Sequence, residues 1–198
     1  MRIILASNSP RRRELMKLLV RDFDTVSTDV DEKGITDSMI SSGSSPEDIA
    51  CALAKAKAEA AYREAGSPED TVVIGSDTSV VTDDLILGKP EDREDAVRML
   101  TELCGITHRV ITGVCLYGSN GCDKWAEISE VEFYPADKFQ TDLIERYCDT
   151  DEPYDKAGAY GIQGGGALLV KRISGDYFNV VGLPVGKLTR RLEDYING

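Results

Sequence analysis

Ser7-Asn8-Ser9-Pro10-Arg11-Arg12-Arg13 lies between an apolar run, Ile3-Ile4-Leu5-Ala6, and Glu14-Leu15-Met16-Lys17-Leu18-Leu19. The first run reads as a buried strand, and the second has apolar residues at helical spacing. Ser9 is a natural helix cap and Pro10 fits the first helical position. The stretch is therefore a strand, a small-residue turn and a helix start. Its charge is unusual, because the positive end of a helix dipole favours Asp or Glu in the first turn. The chain holds a comparison at Ser45-Pro46-Glu47-Asp48, where the same Ser-Pro start is followed by acids. Arginines at a helix start make physical sense beside an anion such as phosphate. A solvated basic turn is the other reading.

Working outward, Phe23 to Val30 has a rough two-residue alternation and suits a strand. Residues 33–45 are rich in Gly and Ser without apolar period and read as a mobile loop. Ser45 caps a helix to about Ala65, with Ile49, Leu53, Ala56 and Ala60 on one face. Thr71 to Gly75 is a β-branched central strand that delivers Ser76-Asp77-Thr78 at its end. Asp83-Asp84 reads as a hairpin turn. Helices are expected from about Asp92 to Cys104 and Asp137 to Cys148. Between them lie two long strands, His108 to Tyr117 and Trp125 to Tyr134, joined by a turn at residues 118–121. Residues 149–166 have no regular period, Ala167 to Ile173 is a strand, Asp176 to Pro184 a loop, and a helix ends the chain. The expected architecture is one mixed α/β domain over residues 1–198, with two lobes around a cleft and a twisted mixed sheet flanked by helices.

The 198 residues carry a formal net charge of -12. That argues against broad binding to nucleic acid or to an anionic membrane. It also means a polyanionic ligand requires locally concentrated positive charge or a metal ion. The five cysteines form no C-x-x-C pair, which argues against zinc and for reduced thiols. No signal-peptide layout and no run of membrane-span length are present, so a cytoplasmic protein is expected.

Turns marked by Gly or Pro gather Arg11, Arg12, Arg13, Lys89 and Lys156 on the basic side, with Lys55 on a helix. On the acidic side stand Asp29, Asp31, Glu32, Asp77, Asp151, Glu152 and Asp155. Asp77 is set apart, since it follows a buried strand. A carboxylate there must be paired, metal-bound or catalytic to offset desolvation, or it bonds backbone N–H groups in a turn. Both readings fit the sequence. One histidine, His108, is too few for a Ser-His-Asp triad or a histidine metal site. No G-x-x-x-x-G-K-[ST] element exists, which excludes a P-loop. The combination suits metal-assisted chemistry on a phosphorylated ligand.

These residues resemble a known family. Ala6-Ser7-Asn8-Ser9-Pro10-Arg11-Arg12 is similar to the opening motif of the Maf proteins, nucleoside triphosphate pyrophosphatases. In family order follow Leu53-Ala54-Lys55-Ala56-Lys57-Ala58, Gly75-Ser76-Asp77-Thr78, Gly88-Lys89-Pro90 and His108-Arg109-Val110-Ile111-Thr112-Gly113. The segments from Glu152 to Gly164 and from Asn179 to Pro184 complete the series. The resemblance implies hydrolysis of a nucleoside triphosphate to monophosphate and pyrophosphate with a divalent cation, Mg2+ or Mn2+. It also implies an inosine triphosphate pyrophosphatase-like fold, often dimeric. Asp77 matches the family's proton acceptor. Arg11, Thr78 and Gln163 match the selectivity positions of the subgroup acting on dTTP and UTP. A glutamine amide both donates and accepts, as a pyrimidine edge requires. Ser7, Arg11, Arg12, Lys55, Lys89 and Lys156 are expected to bind the substrate, and Asp77 with Glu32 to hold the metal. Alternatives are a pyrophosphatase for modified purine triphosphates such as 7-methyl-GTP, or a nucleotide-binding regulator of cell division without turnover. Ser76 departs from the family's usual Ala, and Ser79 from its usual apolar residue.

Overall fold

The computed structural model describes residues 1–83, 85–119 and 121–197. Asp84 and Asn120, in the two predicted turns, lie outside the described residues. Strands β1 (Arg2–Ala6), β2 (Asp24–Val26), β3 (Thr71–Thr82), β4 (Leu85–Leu87), β5 (Thr107–Gly118), β6 (Gly121–Phe133) and β7 (Val170–Ser174) form one mixed sheet. Its order is β2-β1-β3-β5-β6-β7, with β4 on β3. The first three are parallel, whereas β4 pairs antiparallel with β3 and β7 with β6. The helices are α1 (Pro10–Met16), α2 (Glu32–Ser41), α3 (Pro46–Glu64), α4 (Arg93–Leu103), α5 (Lys138–Cys148), α6 (Tyr177–Val181) and α7 (Val185–Asn197). This is the expected mixed α/β class. Among the described residues no helix is long and apolar enough to cross a membrane.

The chain divides into two compact units. The first comprises residues 1–78, 112–127 and 182–198. One of its clusters joins Ile4, Ala6, Ala54, Ala58, Ala61, Tyr62, Val73 and Cys115. Here α3 lies on the sheet through small residues. A Cβ on Gly75 would stand 2.0 Å from the Ala54 carbonyl oxygen, and one on Gly113 2.2 Å from that of Ala50. No side chain fits at such distances, so both positions require glycine. The buried face of α3 holds Ile49 and Leu53 of the predicted stripe, but continues through Ala50, Ala54, Ala58 and Ala61, whereas Ala56 and Ala60 are only half-buried.

Register and caps correct several other expectations. β1 ends with Ala6 opposite Gly75, but β3 continues through Asp77 to Thr82 instead of stopping before it. The predicted loop at residues 33–45 is largely helix α2. Asp31 caps it by accepting the Gly34 N–H at 2.9 Å, and none of its residues is buried, so no apolar period marks it. The strand expected over Phe23 to Val30 shortens to β2. The one expected over Ala167 to Ile173 begins later, after a 3-10 turn at Gly165–Leu169, and the loop around Asn179 contains α6.

The second unit comprises residues 79–111 and 128–181. Its core joins Leu100 and Leu103 of α4, Val131 and Phe133 of β6, Ile144 and Tyr147 of α5, and Tyr160 and Leu169. His108 is 1% exposed within this unit, edge-on to Phe133 and Tyr160, with Nε2 2.8 Å from the Tyr160 hydroxyl. Its role is structural. Burial lowers its pKa from 6.5 to about 4. The unfolded chain therefore takes up a proton between pH 6.5 and 4 that the folded chain refuses. Stability present above pH 6.5 falls as pH drops through this window, by about 3 kcal/mol in all. In urea titrations across pH 7 to 4, His108→Gln should show a shallower loss of stability than the native chain. Parallel curves would contradict the assignment.

Candidate active site

The first unit gathers most of the predicted site residues around the ends of β1 and α2 and the middle of β3 and α3. Because Gly75 seats Ala54 directly on the sheet, Lys57, one helical turn further along, reaches Asp77, two residues further along β3. Lys57 Nζ is 2.7 Å from Asp77 Oδ1 and 3.0 Å from Glu32 Oε1. The Lys57 and Asp77 side chains are 13% and 12% exposed, and that of Glu32 54%. One ammonium thus joins two carboxylates from separate elements. The three acids at 29, 31 and 32 are resolved as well. The Asp31 carboxylate is committed to capping α2, so Glu32 is the one that turns inward.

Lys57 is the residue that sequence reading missed. The sequence pattern favours Lys55, half-buried on α3, whose charge acts on the Cys115 thiol. Two residues along a helix are about 200° of rotation, so Lys55 and Lys57 face opposite ways. The signal that could have found Lys57 is the four-residue step from Leu53, which marks the inward face of α3.

The arginines of the opening turn separate by helical phase. Ser9 caps α1, accepting the Arg12 N–H at 3.4 Å, and Ser7 Oγ accepts the Ser9 N–H at 3.1 Å. Arg13 is exposed and donates back to the Asn8 carbonyl at 3.2 Å. Arg12 turns inward. Its Nε donates to the Gly182 carbonyl at 2.8 Å, Nη1 to the Ser76 carbonyl at 2.9 Å, and Nη2 to Thr78 Oγ1 at 2.8 Å. Desolvation lowers its pKa from the ordinary arginine value, and the nearby Asp77 carboxylate opposes that shift. Three of its five N–H donors are therefore spent on the protein. Arg11 is half-buried, and its charge also acts on Arg12.

Ser76 adds to the same brace, since its hydroxyl donates to the Gly182 carbonyl at 3.1 Å. Gly182 has φ +122, and a Cβ there would meet Arg12 Nε at 3.4 Å and Thr78 Oγ1 at 3.5 Å. The Thr78 hydroxyl lies 2.9 Å from that of Thr112 on β5. Bonded to Arg12 and Thr112, it has one hydrogen-bonding position left.

In the second unit, the Gly158 N–H donates to the Gly88 carbonyl at 3.0 Å, placing the turn after Lys156 beside the segment that carries Lys89. Lys156 Nζ bonds the Glu152 carbonyl and Asp155 Oδ1, and its stem passes 2.7 Å from where a Cβ on Gly161 would stand. Lys89 and Gln163 are exposed.

Residues 2–195 match the family described as Maf-like protein. The chain belongs to that family. It is 46% identical over 194 residues to the dTTP/UTP pyrophosphatase of Bacillus velezensis, covering 98% of this chain and 96% of the relative. The protein of the same name from Bacillus cytotoxicus is 44% identical over 197 residues, with 100% and 97% covered. That from Acetivibrio thermocellus is 43% identical over 194 residues, with 98% and 95% covered. Among solved structures the fold resembles the Staphylococcus aureus Ham1 protein. The TM-score is 0.53 at 17% identity, over 98% of this chain and 99% of that one.

The Maf-like chain has two hard oxygen donors, Asp77 and Glu32, converging on one positive charge. That set fits a divalent cation such as Mg2+, which proteins hold through one or two carboxylates while substrate phosphates and water complete the shell. Among the described residues no group of three or more His, Cys, Asp or Glu side chains could hold a metal ion unaided.

The brace predicts a graded pair of variants. Ser76→Ala leaves the Gly182 carbonyl held by Arg12 and should cost about 1 kcal/mol or less in urea unfolding. Arg12→Lys keeps the charge but can replace only part of the fork, and should cost about 2–3 kcal/mol. Equal losses would show that the fork does not carry the brace.

Proposed function

We propose that this chain hydrolyses dTTP and UTP to the monophosphate and pyrophosphate by attack of water on the α-phosphorus. The observation that carries this reading is near-full-length similarity, at 43–46% identity, to relatives named dTTP/UTP pyrophosphatase. The site supports it, because an inward-facing carboxylate that shares a lysine with a second acid suits proton abstraction beside a cation.

Asp77 accepts the proton of the attacking water. Asp77 and Glu32 would hold Mg2+ or Mn2+, which would supply positive charge for the phosphates and a more acidic water. Lys57, which holds Asp77 and Glu32 together, supplies positive charge for a phosphate oxygen beside them. Ser7 Oγ accepts from Ser9 and keeps its own proton for the substrate. Arg11, Lys89 and Lys156 bind the triphosphate and offset the charge that develops on departing pyrophosphate. Arg12 acts chiefly by positioning Ser76 and Thr78, with its remaining donors directed to phosphate. Arg11, Thr78 and Gln163 select the base. The thiols, all free, support work in the reducing cytoplasm.

The test is pyrophosphate release by the full chain with Mg2+ or Mn2+ across a panel of triphosphates. dTTP and UTP should be preferred over 7-methyl-GTP. Asp77→Asn should lower kcat by about 10²-fold or more, as expected when a general base is lost. Near-normal turnover by that variant would remove Asp77 from the mechanism. Triphosphate binding without turnover by the native chain would instead favour a nucleotide-binding regulator.

A further inference from the structure

Two thiols face each other far along the hairpin of the first unit, and nothing in the hydrolytic mechanism uses them. Cys115 on β5 and Cys122 on β6 have their sulfurs 3.3 Å apart. All five cysteines are free. Cys115 is fully buried in the cluster of Ile4, Ala54, Ala58 and Val73, whereas Cys122 is exposed. A disulfide requires sulfurs about 2.05 Å apart, so closure needs just over an ångström of movement shared by two side chains. The strand carrying Cys122 is anchored by α7. The Tyr195 hydroxyl donates to the Gly121 carbonyl at 2.9 Å, and Arg191 pairs with Asp123 at 2.6 Å while lying over the Trp125 ring. The two sulfurs are therefore held in contact by the fold.

We propose that Cys115 and Cys122 form a peroxide-reactive dithiol, a site of reversible oxidation to an intrachain disulfide. The exposed Cys122 meets the oxidant. Its sulfur attacks one oxygen of hydrogen peroxide or an organic hydroperoxide. An S–O bond forms, the O–O bond breaks, and the departing oxygen leaves as water or alcohol. Cys122 is oxidised by two electrons to a sulfenic acid as the peroxide is reduced. The Cys115 sulfur then attacks the Cys122 sulfur. The S–S bond forms, the S–O bond breaks, and hydroxide leaves with the Cys115 proton as water. With hydrogen peroxide, two thiols and one peroxide give one disulfide and two waters.

The division of labour follows from the surroundings. Burial raises the Cys115 thiol pKa, so it stays protonated and out of reach of solvent oxidant. Its contact with Cys122 makes the second step intramolecular. Neither Asp77 nor Lys57 takes part, so the proposal stands independently of the pyrophosphatase reading.

The experiment treats the reduced full chain with hydrogen peroxide, blocks remaining thiols with iodoacetamide, and reads intact and peptide masses. The expected result is loss of two titratable thiols, leaving three of five. A peptide pair linked through Cys115 and Cys122 should appear and be returned to thiols by dithiothreitol. Cys115→Ser should divert Cys122 to sulfinic acid, and Cys122→Ser should abolish peroxide-dependent thiol loss. Five titratable thiols after treatment, a bridge between two chains, a bridge to Cys51, or sulfinic acid at Cys122 of the native chain would each overturn the proposal.

Discussion

The Lys57 ammonium, held between Asp77 and Glu32, is the contact on which the site depends. Asp77 lies inside a twelve-residue strand and is 8% exposed, so its negative charge requires a partner to offset desolvation. Lys57 supplies it and draws in Glu32 from the start of α2. The geometry is set by glycine. Gly75 and Gly113 admit the backbone of α3 to the sheet surface, and this close approach fixes how far Lys57 reaches. An acidic chain thus places a cation beside its buried acid.

A second cation acts through architecture. Arg12 spends three donors on Ser76 and Thr78 of β3 and Gly182 before α7, and so ties α1 to both segments. The opening arginine run divides its tasks by helical phase, with Arg12 turned inward and Arg13 turned back on its own turn. The hydroxyl of Ser76 also donates to the Gly182 carbonyl, so serine at this position adds a bond to the brace.

What the sequence disclosed and what it concealed follow from how each element is stabilised. β1, the Ser9 cap, β5, β6 and α3 were legible because apolar periodicity or capping residues announce them. The stretch α2 was not, since it buries nothing and rests on the Asp31 cap. Ile49 and Leu53 marked the inward face of α3, but the alanines were misplaced because they carry little hydropathy signal, although their small size is what permits contact with Gly75. For the same reason Lys55 drew attention that belonged to Lys57. Asp77 could be singled out as a carboxylate leaving a buried strand, yet its partner depended on helix phase and strand register together. Glu32 could be named from the sequence, but setting its neighbour Asp31 aside rests on the helix cap that Asp31 forms.

The central claim is that Lys57 and Asp77 form an energetically coupled pair, and a double-mutant cycle measures this directly. Unfolding free energies of the native chain, Lys57→Met, Asp77→Asn and the double variant would be compared in metal-free buffer. The account predicts a coupling energy of about 1.5 kcal/mol or more, as for a hydrogen bond between charged, largely buried groups. Additive single effects, with no coupling, would contradict it.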